Sequence, residues 1–185
     1  MGLPNLVLFS AEEYLEFESR SQEKHEFYHG HIIAMAGASI SHRRIQTNLV
    51  TGLTNRLRAN RKPCETFGSD TRVYVADERY FYPDVSIFCG KSPEDKWNNV
   101  SNPETIIEIL SDSTASFDQN EKAAAYKQIP SLKELVLIDS RVKAITIFQK
   151  QDDGAWVERS YGDQTVAVQI AGEEVALAEI YEGVF

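Results

Sequence analysis

Apolar residues recur every fourth position at Ile45, Leu49, Leu53 and Leu57, which is the spacing of one helical face. The stripe predicts a long helix, capped by Ser41, that packs on a sheet and carries arginines near its ends. Earlier, Ser10-Ala11-Glu12-Glu13 has the form of a capping box opening a short helix through about Phe17. Residues 26–35 alternate as a β-hairpin does, with Tyr28, His29, Gly30 and His31 around its turn. Strands are expected at 69–75 and 83–88, separated by the polar turn Asp77-Glu78-Arg79, and Pro83 can only open a strand or lie at an edge. The run 105–110 is apolar on both parities except at Glu108. A polar loop follows at Ser111-Asp112-Ser113-Thr114, then a helix from Asp118 through about Gln128. Strands at 134–139, 143–149 and 155–161 come next, the last two joined across Asp152-Asp153-Gly154, with a short strand near 175–177 and a closing turn of helix.

This order predicts an α/β fold, a mixed β-sheet flanked by helices, with an additional N-terminal helix and β-hairpin. The continuous apolar character of 105–110 and 134–139 suits central strands covered on both faces. No linker rich in Pro, Gly or Ser divides the chain, so a single domain over 1–185 is expected.

Composition narrows the classes. No apolar run approaches the ~20 residues of a membrane span. The N-terminus lacks a basic region and turns acidic early, against a secretory signal, and Leu6 stands where a myristoylation motif needs Ser or Thr. Cys64 and Cys89 form no CxxC and are expected as separate reduced thiols of a cytoplasmic protein. The net charge of −9 opposes non-specific nucleic-acid binding. Yet residues 41–62 carry six basic side chains (Arg43, Arg44, Arg56, Arg58, Arg61, Lys62) and no acid. That segment is either a phosphate-contacting surface or a solvated face that offsets the acidic body.

The chemistry centres on Glu108. An ionised carboxylate inside an apolar strand needs a cation, either a Lys, an Arg or a metal. Asp84 begins the strand at 83–88. By strand parity Asp84, Ser86 and Phe88 share one face, as do Ile106, Glu108 and Leu110. If the strands are neighbours, the two carboxylates converge at one end of the sheet, a donor set suited to Mg²⁺ or Mn²⁺ and to phosphodiester hydrolysis. The alternative for the pair is a structural ion-pair network with Arg72 or Lys122. His25, His29 and His31 read as exposed hairpin polarity rather than zinc ligands. His42 is a candidate for phosphate contact or for supporting a metal ligand. Asp70 and Asp118 are candidate supports, Asp118 equally a helix cap. No P-loop, dinucleotide fingerprint or GxSxG elbow is present.

Pro83-Asp84, 23 intervening residues and Glu108 resemble the PD-(D/E)XK nuclease superfamily. More closely, the chain resembles the bacterial Uma-two family of predicted endonucleases. The matching pieces are FSAEEYLEF (9–17), HEFYHGHIIAM (25–35), His42 opening the long helix, YPDVSIF (82–88), IIEILSDST (106–114), DQNEKAAAY (118–126), KELVLID (133–139) and VALAEIYEGVF (175–185). The resemblance implies a restriction-endonuclease-like core and a metal-dependent DNA endonuclease working as a homodimer. In it Asp84, Glu108 and Glu26 hold the metal, and the basic segment, with His42, Arg43 and Arg44 at its start, would meet the nucleic acid. The superfamily's usual lysine would fall at Leu110. Its migration to the next helix points to Lys122, on the same helix face as Tyr126. Glu26 otherwise reads as a strand-start carboxylate paired with Lys24. A catalytically degenerate module that binds nucleic acid or a protein partner is the competing expectation.

Overall fold

The computed structural model describes residues 8–76, 78–91, 94–112 and 115–185. Its elements, in order, begin with α1 (Ala11–Glu18), β1 (His25–Tyr28), β2 (His31–Ala34), α2 (Ile40–Ala59) and β3 (Cys64–Gly68). Then come β4 (Val73–Val75), β5 (Arg79–Phe81), β6 (Val85–Cys89) and β7 (Thr105–Leu110). A continuous helical segment follows: α3 (Ala115–Phe117), a π-helical turn (Asp118–Lys122) and α4 (Ala123–Tyr126). The chain continues through β8 (Glu134–Asp139), β9 (Ile145–Lys150), β10 (Trp156–Tyr161), β11 (Ala167–Ile170), β12 (Glu173–Ala176) and α5 (Leu177–Ile180).

Six strands form the main sheet in the order β10-β9-β8-β7-β6-β3. Only β7 and β8 are parallel; the other pairings are antiparallel. A parallel pair needs a crossover connection, and the α3–α4 segment supplies it. Both faces are covered, as the apolar runs of β7 and β8 require. On one face the α2 stripe Ile45, Leu49, Leu53 and Leu57 meets Val85, Ile87, Ile107, Ile109, Val136 and Ile138. On the other, Ile106, Leu110, Leu135 and Leu137 meet Ala123, Ala125 and Tyr126, together with Val73, Val75 and Phe81 of a smaller sheet. That sheet runs β2-β1-β5-β4 and buries its aromatics Phe27 and Tyr80 against Tyr14 and Leu15 of α1. The result is the mixed sheet with an extra N-terminal helix and hairpin that the pattern predicts.

Local chemistry explains several boundaries. Ser10 and Glu13 exchange the two bonds of a capping box, Glu13 N–H to Ser10 Oγ at 3.2 Å and Ser10 N–H to Glu13 Oε2 at 2.7 Å. The β1–β2 turn places His29 at φ 49° and Gly30 at φ 81°, as a two-residue hairpin turn matched to strand twist requires. Pro83 lies just before β6, outside the ladder.

Other expectations are corrected. The cap of α2 is Ser39, whose side chain accepts from His42 N, and Ser41 sits inside the first turn. Asp118 caps nothing; it lies within the helical segment. The strand expected at 69–75 shrinks to β4, and β5 takes up part of the expected polar turn, of which Asp77 lies outside the described residues, as do Ser113 and Thr114 of the loop after β7. The edge strand β3 and the strand β11 were not in the sequence pattern. Cys64 and Cys89, expected as separate thiols, are register partners across β3 and β6 and are joined as a disulfide. Their 25-residue separation hides a pairing that antiparallel register brings about. Among the described residues no helix is long and apolar enough to cross a membrane.

Candidate active site

The β6–β7 ladder ends at Val85↔Ile107. Asp84 and Glu108 are the next opposed positions, and there side-chain bonds replace the ladder. Asp84 Oδ2 accepts the N–H of Ile109 at 2.7 Å, and the Asp84 N–H lies 3.4 Å from Glu108 Oε2. The start of α2 secures the same corner. His42 Nε2 stands 3.1 Å from Asp84 Oδ2, and Gln46 donates its amide to the Asp84 carbonyl at 2.8 Å. The neighbouring strands and convergent carboxylates expected from parity are therefore present.

Glu108 is 3% exposed. Its Oε1 accepts from the Tyr126 hydroxyl at 2.7 Å and from Lys122 Nζ at 2.9 Å. Lys122 Nζ also lies 2.8 Å from Glu26 Oε1 and 3.4 Å from Asp118 Oδ1. Glu26 Oε1 is held in turn by the backbone N–H of Tyr82 at 3.1 Å. Asp118 and Lys122 are four residues apart and so share a helix side, within a π-helical turn in which the N–H of Ala123 reaches back to the carbonyl of Asp118, five residues away. Such a widened turn is a recurrent feature of functional sites in helices. Lys122 rests over the Phe81 ring, 5.4 Å from its centroid.

Three carboxylates thus gather around one ammonium, and Asp84 lies beside one of them, Glu108. Burial pushes the Glu108 carboxyl up to about 8; Lys122 opposes that rise, while Asp118, Asp84 and Glu26 add to it. For Lys122 burial acts downward, but Glu108, Glu26 and Asp118 outweigh it and hold the ammonium well above the ordinary lysine range. The Tyr126 hydroxyl is raised as well, by burial and then by the Glu108 charge. One excess anion can be neutralised by a proton, and several call for a cation of higher charge.

The donor chemistry fits a hard divalent cation: the oxygens belong to carboxylates, anions outnumber cations, and among the described residues Glu108 Oε2 has only the long contact to Asp84 N–H. As arranged, however, no three His, Cys, Asp or Glu side chains among the described residues are grouped to hold a metal ion. The Lys122 ammonium lies between Glu26 and Glu108 instead.

Of the predicted site residues, Glu26, Asp84, Glu108 and Lys122 come together, with His42 behind Asp84. His42 is buried, and its Nδ1 has no hydrogen-bond partner among the described residues. Arg43 and Arg44 are exposed and bond backbone carbonyls, Arg43 that of Ala38 and Arg44 that of Gly183. Further along α2, Arg56 pairs with Glu179 and Lys62 with Glu173, so half of the basic segment is engaged by the C-terminal β12–α5 region or the chain end. Arg72 stands apart from the site, bonded to Asn99, the Tyr82 hydroxyl and the Trp97 carbonyl. Lys24 pairs with Asp70 rather than with Glu26, and Asp70 is almost fully exposed, away from the carboxylates it was expected to support. No sequence pattern marks Tyr82, whose backbone N–H holds Glu26, or Gln46, whose side-chain amide holds the Asp84 carbonyl. Tyr126 shares the face of Lys122 as expected, but the bond from its hydroxyl to Glu108 has no sequence signal.

The fold is shared with a protein of known structure. It matches the crystal structure of a protein from Anabaena variabilis described as "a putative nuclease belonging to DUF820", with a TM-score of 0.76 and 16% identity over 96% of this chain and 99% of that one. A family model described as "Uma2: Putative restriction endonuclease" matches residues 11–178, which include every residue of the site, and the chain belongs to this family. Two Synechocystis proteins, both described only as uncharacterized, are similar over most of their length. One, sll1609, is 40% identical over 85% of this chain and 89% of its own; the other, slr1290, is 33% identical over 94% and 92%.

Proposed function

We propose that this protein is a divalent-cation-dependent endonuclease that hydrolyses phosphodiester bonds of DNA. The observation that carries the reading is the buried strand carboxylate Glu108, facing Asp84 and gathered with Glu26 and Asp118 around a single buried lysine. Asp84, Glu108 and Glu26 are the residues that would hold Mg²⁺ or Mn²⁺. Bound there, such an ion supplies Lewis-acid polarisation of a phosphoryl oxygen and acidification of water. The chain's own groups do the rest. Tyr126 orients the Glu108 carboxylate, and Lys122 does so in the metal-free protein. The N–H of Ile109 and the His42 ring orient that of Asp84. Lys122 is the buried cation on hand for the negative charge that develops on the phosphate. His42 acts by holding Asp84, while Arg43 and Arg44, exposed at the start of α2, guide the nucleic-acid backbone. Cutting both strands of a duplex favours a two-fold homodimer. The working compartment under this reading is the cytoplasm, where the Cys64–Cys89 pair meets a reducing environment.

One observation favours a second reading, a non-catalytic module whose carboxylates form a closed ion-pair network: Lys122 already bridges Glu26 and Glu108. Calorimetric titration of the metal-free protein with Mn²⁺, beside Asp84→Ala, separates the two. Saturable binding lost in the variant is the expected result. No binding by the wild type at millimolar metal would leave the closed network as the function of these residues.

A further inference from the structure

Lys122 sits at the centre of the cluster, where it contacts the oxygens of two proposed cation ligands, Glu26 Oε1 at 2.8 Å and Glu108 Oε1 at 2.9 Å. Its side chain is 5% exposed, so the contacts are dry. An ammonium and a divalent cation cannot both bond the same oxygens at these distances without strong repulsion between them. Among the described residues no three His, Cys, Asp or Glu side chains are grouped to hold a metal ion, and the lysine stands where the carboxylates Glu26 and Glu108 meet. We propose that Lys122 is the resident counterion of the metal-free protein and is exchanged for the divalent cation on binding. This rests on the metal-dependent reading above and adds how the site is kept assembled before the metal arrives.

Two further observations carry the exchange. Three carboxylates meet one ammonium and Asp84 adjoins Glu108, so the cluster retains excess negative charge even with Lys122 bound, which draws the incoming cation in. The lysine also ends a π-helical turn, Asp118–Lys122, whose one-residue excess can be absorbed by an ordinary helical turn, rotating the side chain away from Glu108. Asp118, one turn earlier at 3.4 Å, is the anion to which the released ammonium stays tethered. The lysine then stands beside the site with its charge free to face a phosphate.

The exchange predicts an uncommon sign: removing the lysine strengthens metal binding. In calorimetric Mn²⁺ titrations at one pH, Lys122→Met should bind roughly tenfold or more tightly than wild type, since a buried unit charge no longer competes. Wild-type binding with equal or weaker binding by the variant overturns the exchange and leaves the metal site standing. Absence of binding in both proteins overturns the exchange and the metal reading together. Should the variant fail to fold without metal, the wild type decides through the Lys122 ammonium resonance in ¹H–¹⁵N spectra, which burial protects from exchange with water. Saturating Mg²⁺ should shift or abolish that signal; an unchanged signal overturns the proposal.

Discussion

Two buried glutamates on adjacent strands have opposite neighbourhoods. Glu108 on β7 and Glu134 on β8 are 3% and 5% exposed. Among the described residues Glu134 accepts from neutral groups only: the N–H of Ala171 at 2.8 Å, the Gln149 amide at 3.4 Å and the Thr105 hydroxyl at 3.5 Å. Thr105 and Gln149 are its own cross-strand partners, and Ala171 lies in the turn between β11 and β12, with φ at 52°. Burial raises the Glu134 carboxyl and these donors pull it back. Its task is to fasten the C-terminal hairpin to the sheet. Glu108 instead is bonded by a lysine and a tyrosine and crowded by three further carboxylates. Burial alone therefore does not mark a functional carboxylate. A concentration of like charge does, because folding tolerates such repulsion at a cost that a structural role does not require.

The largest separation of the two residues should come from turnover. In a plasmid-cleavage assay with Mn²⁺, Glu108→Gln should lose at least ~10³-fold in rate, and Glu134→Gln should stay close to wild type. Equal losses would erase the distinction. Stability should sort them the other way. Glu134→Ala leaves the Ala171 N–H without its acceptor, at about 1–3 kcal/mol, and each kcal/mol lowers the melting temperature of a domain of this size by about 2–4 °C. Its Mn²⁺ affinity should remain that of wild type.

Tyr126→Phe is a finer probe, since it removes only the hydroxyl that orients Glu108. Calorimetry should show Mn²⁺ affinity lower by about tenfold, a milder effect than loss of the carboxylate. The smallest effect is in pH dependence. A folded-state carboxyl held above its unfolded value binds a proton that the unfolded chain has released. Metal-free stability should therefore be highest below about pH 4.5 as far as Glu108 is concerned, and decline as pH rises toward about 8. Thermal melts of the metal-free protein across that window should show a flatter profile in Glu108→Gln. Glu134→Gln should flatten it less, because its donors favour the ionised form.

Much of this architecture is legible in the chain. The strands at 105–110 and 134–139 stand at their expected limits, because uninterrupted apolar runs have few alternatives to central strands. Parity gave the faces of Asp84 and Glu108 within their strands, and their meeting waited on the β6–β7 pairing. By contrast β3, with Gly68 at its end and exposed Glu65 and Phe67, carries too little alternation to announce an edge strand. The basic run 41–62 reads as a unit in sequence. Folding divides it, because Glu173 and Glu179 lie more than a hundred residues away and claim Lys62 and Arg56. Lys122 was reached through family resemblance, and its spacing from Glu108 says nothing of the 2.9 Å contact.

By itself the sequence determined the α/β class, the central strands, the face on which α2 packs and the presence of a carboxylate in need of a cation. These follow from periodicity and from the cost of burying charge, both local or nearly so. Tertiary structure alone decided which cation answers Glu108, that His42 is spent on Asp84, and that Cys64 faces Cys89. It also decided that Glu134, equally buried, is satisfied by neutral donors. Each depends on strand register and on the crossover between β7 and β8, which bring together residues whose separation along the chain carries no record of their contact.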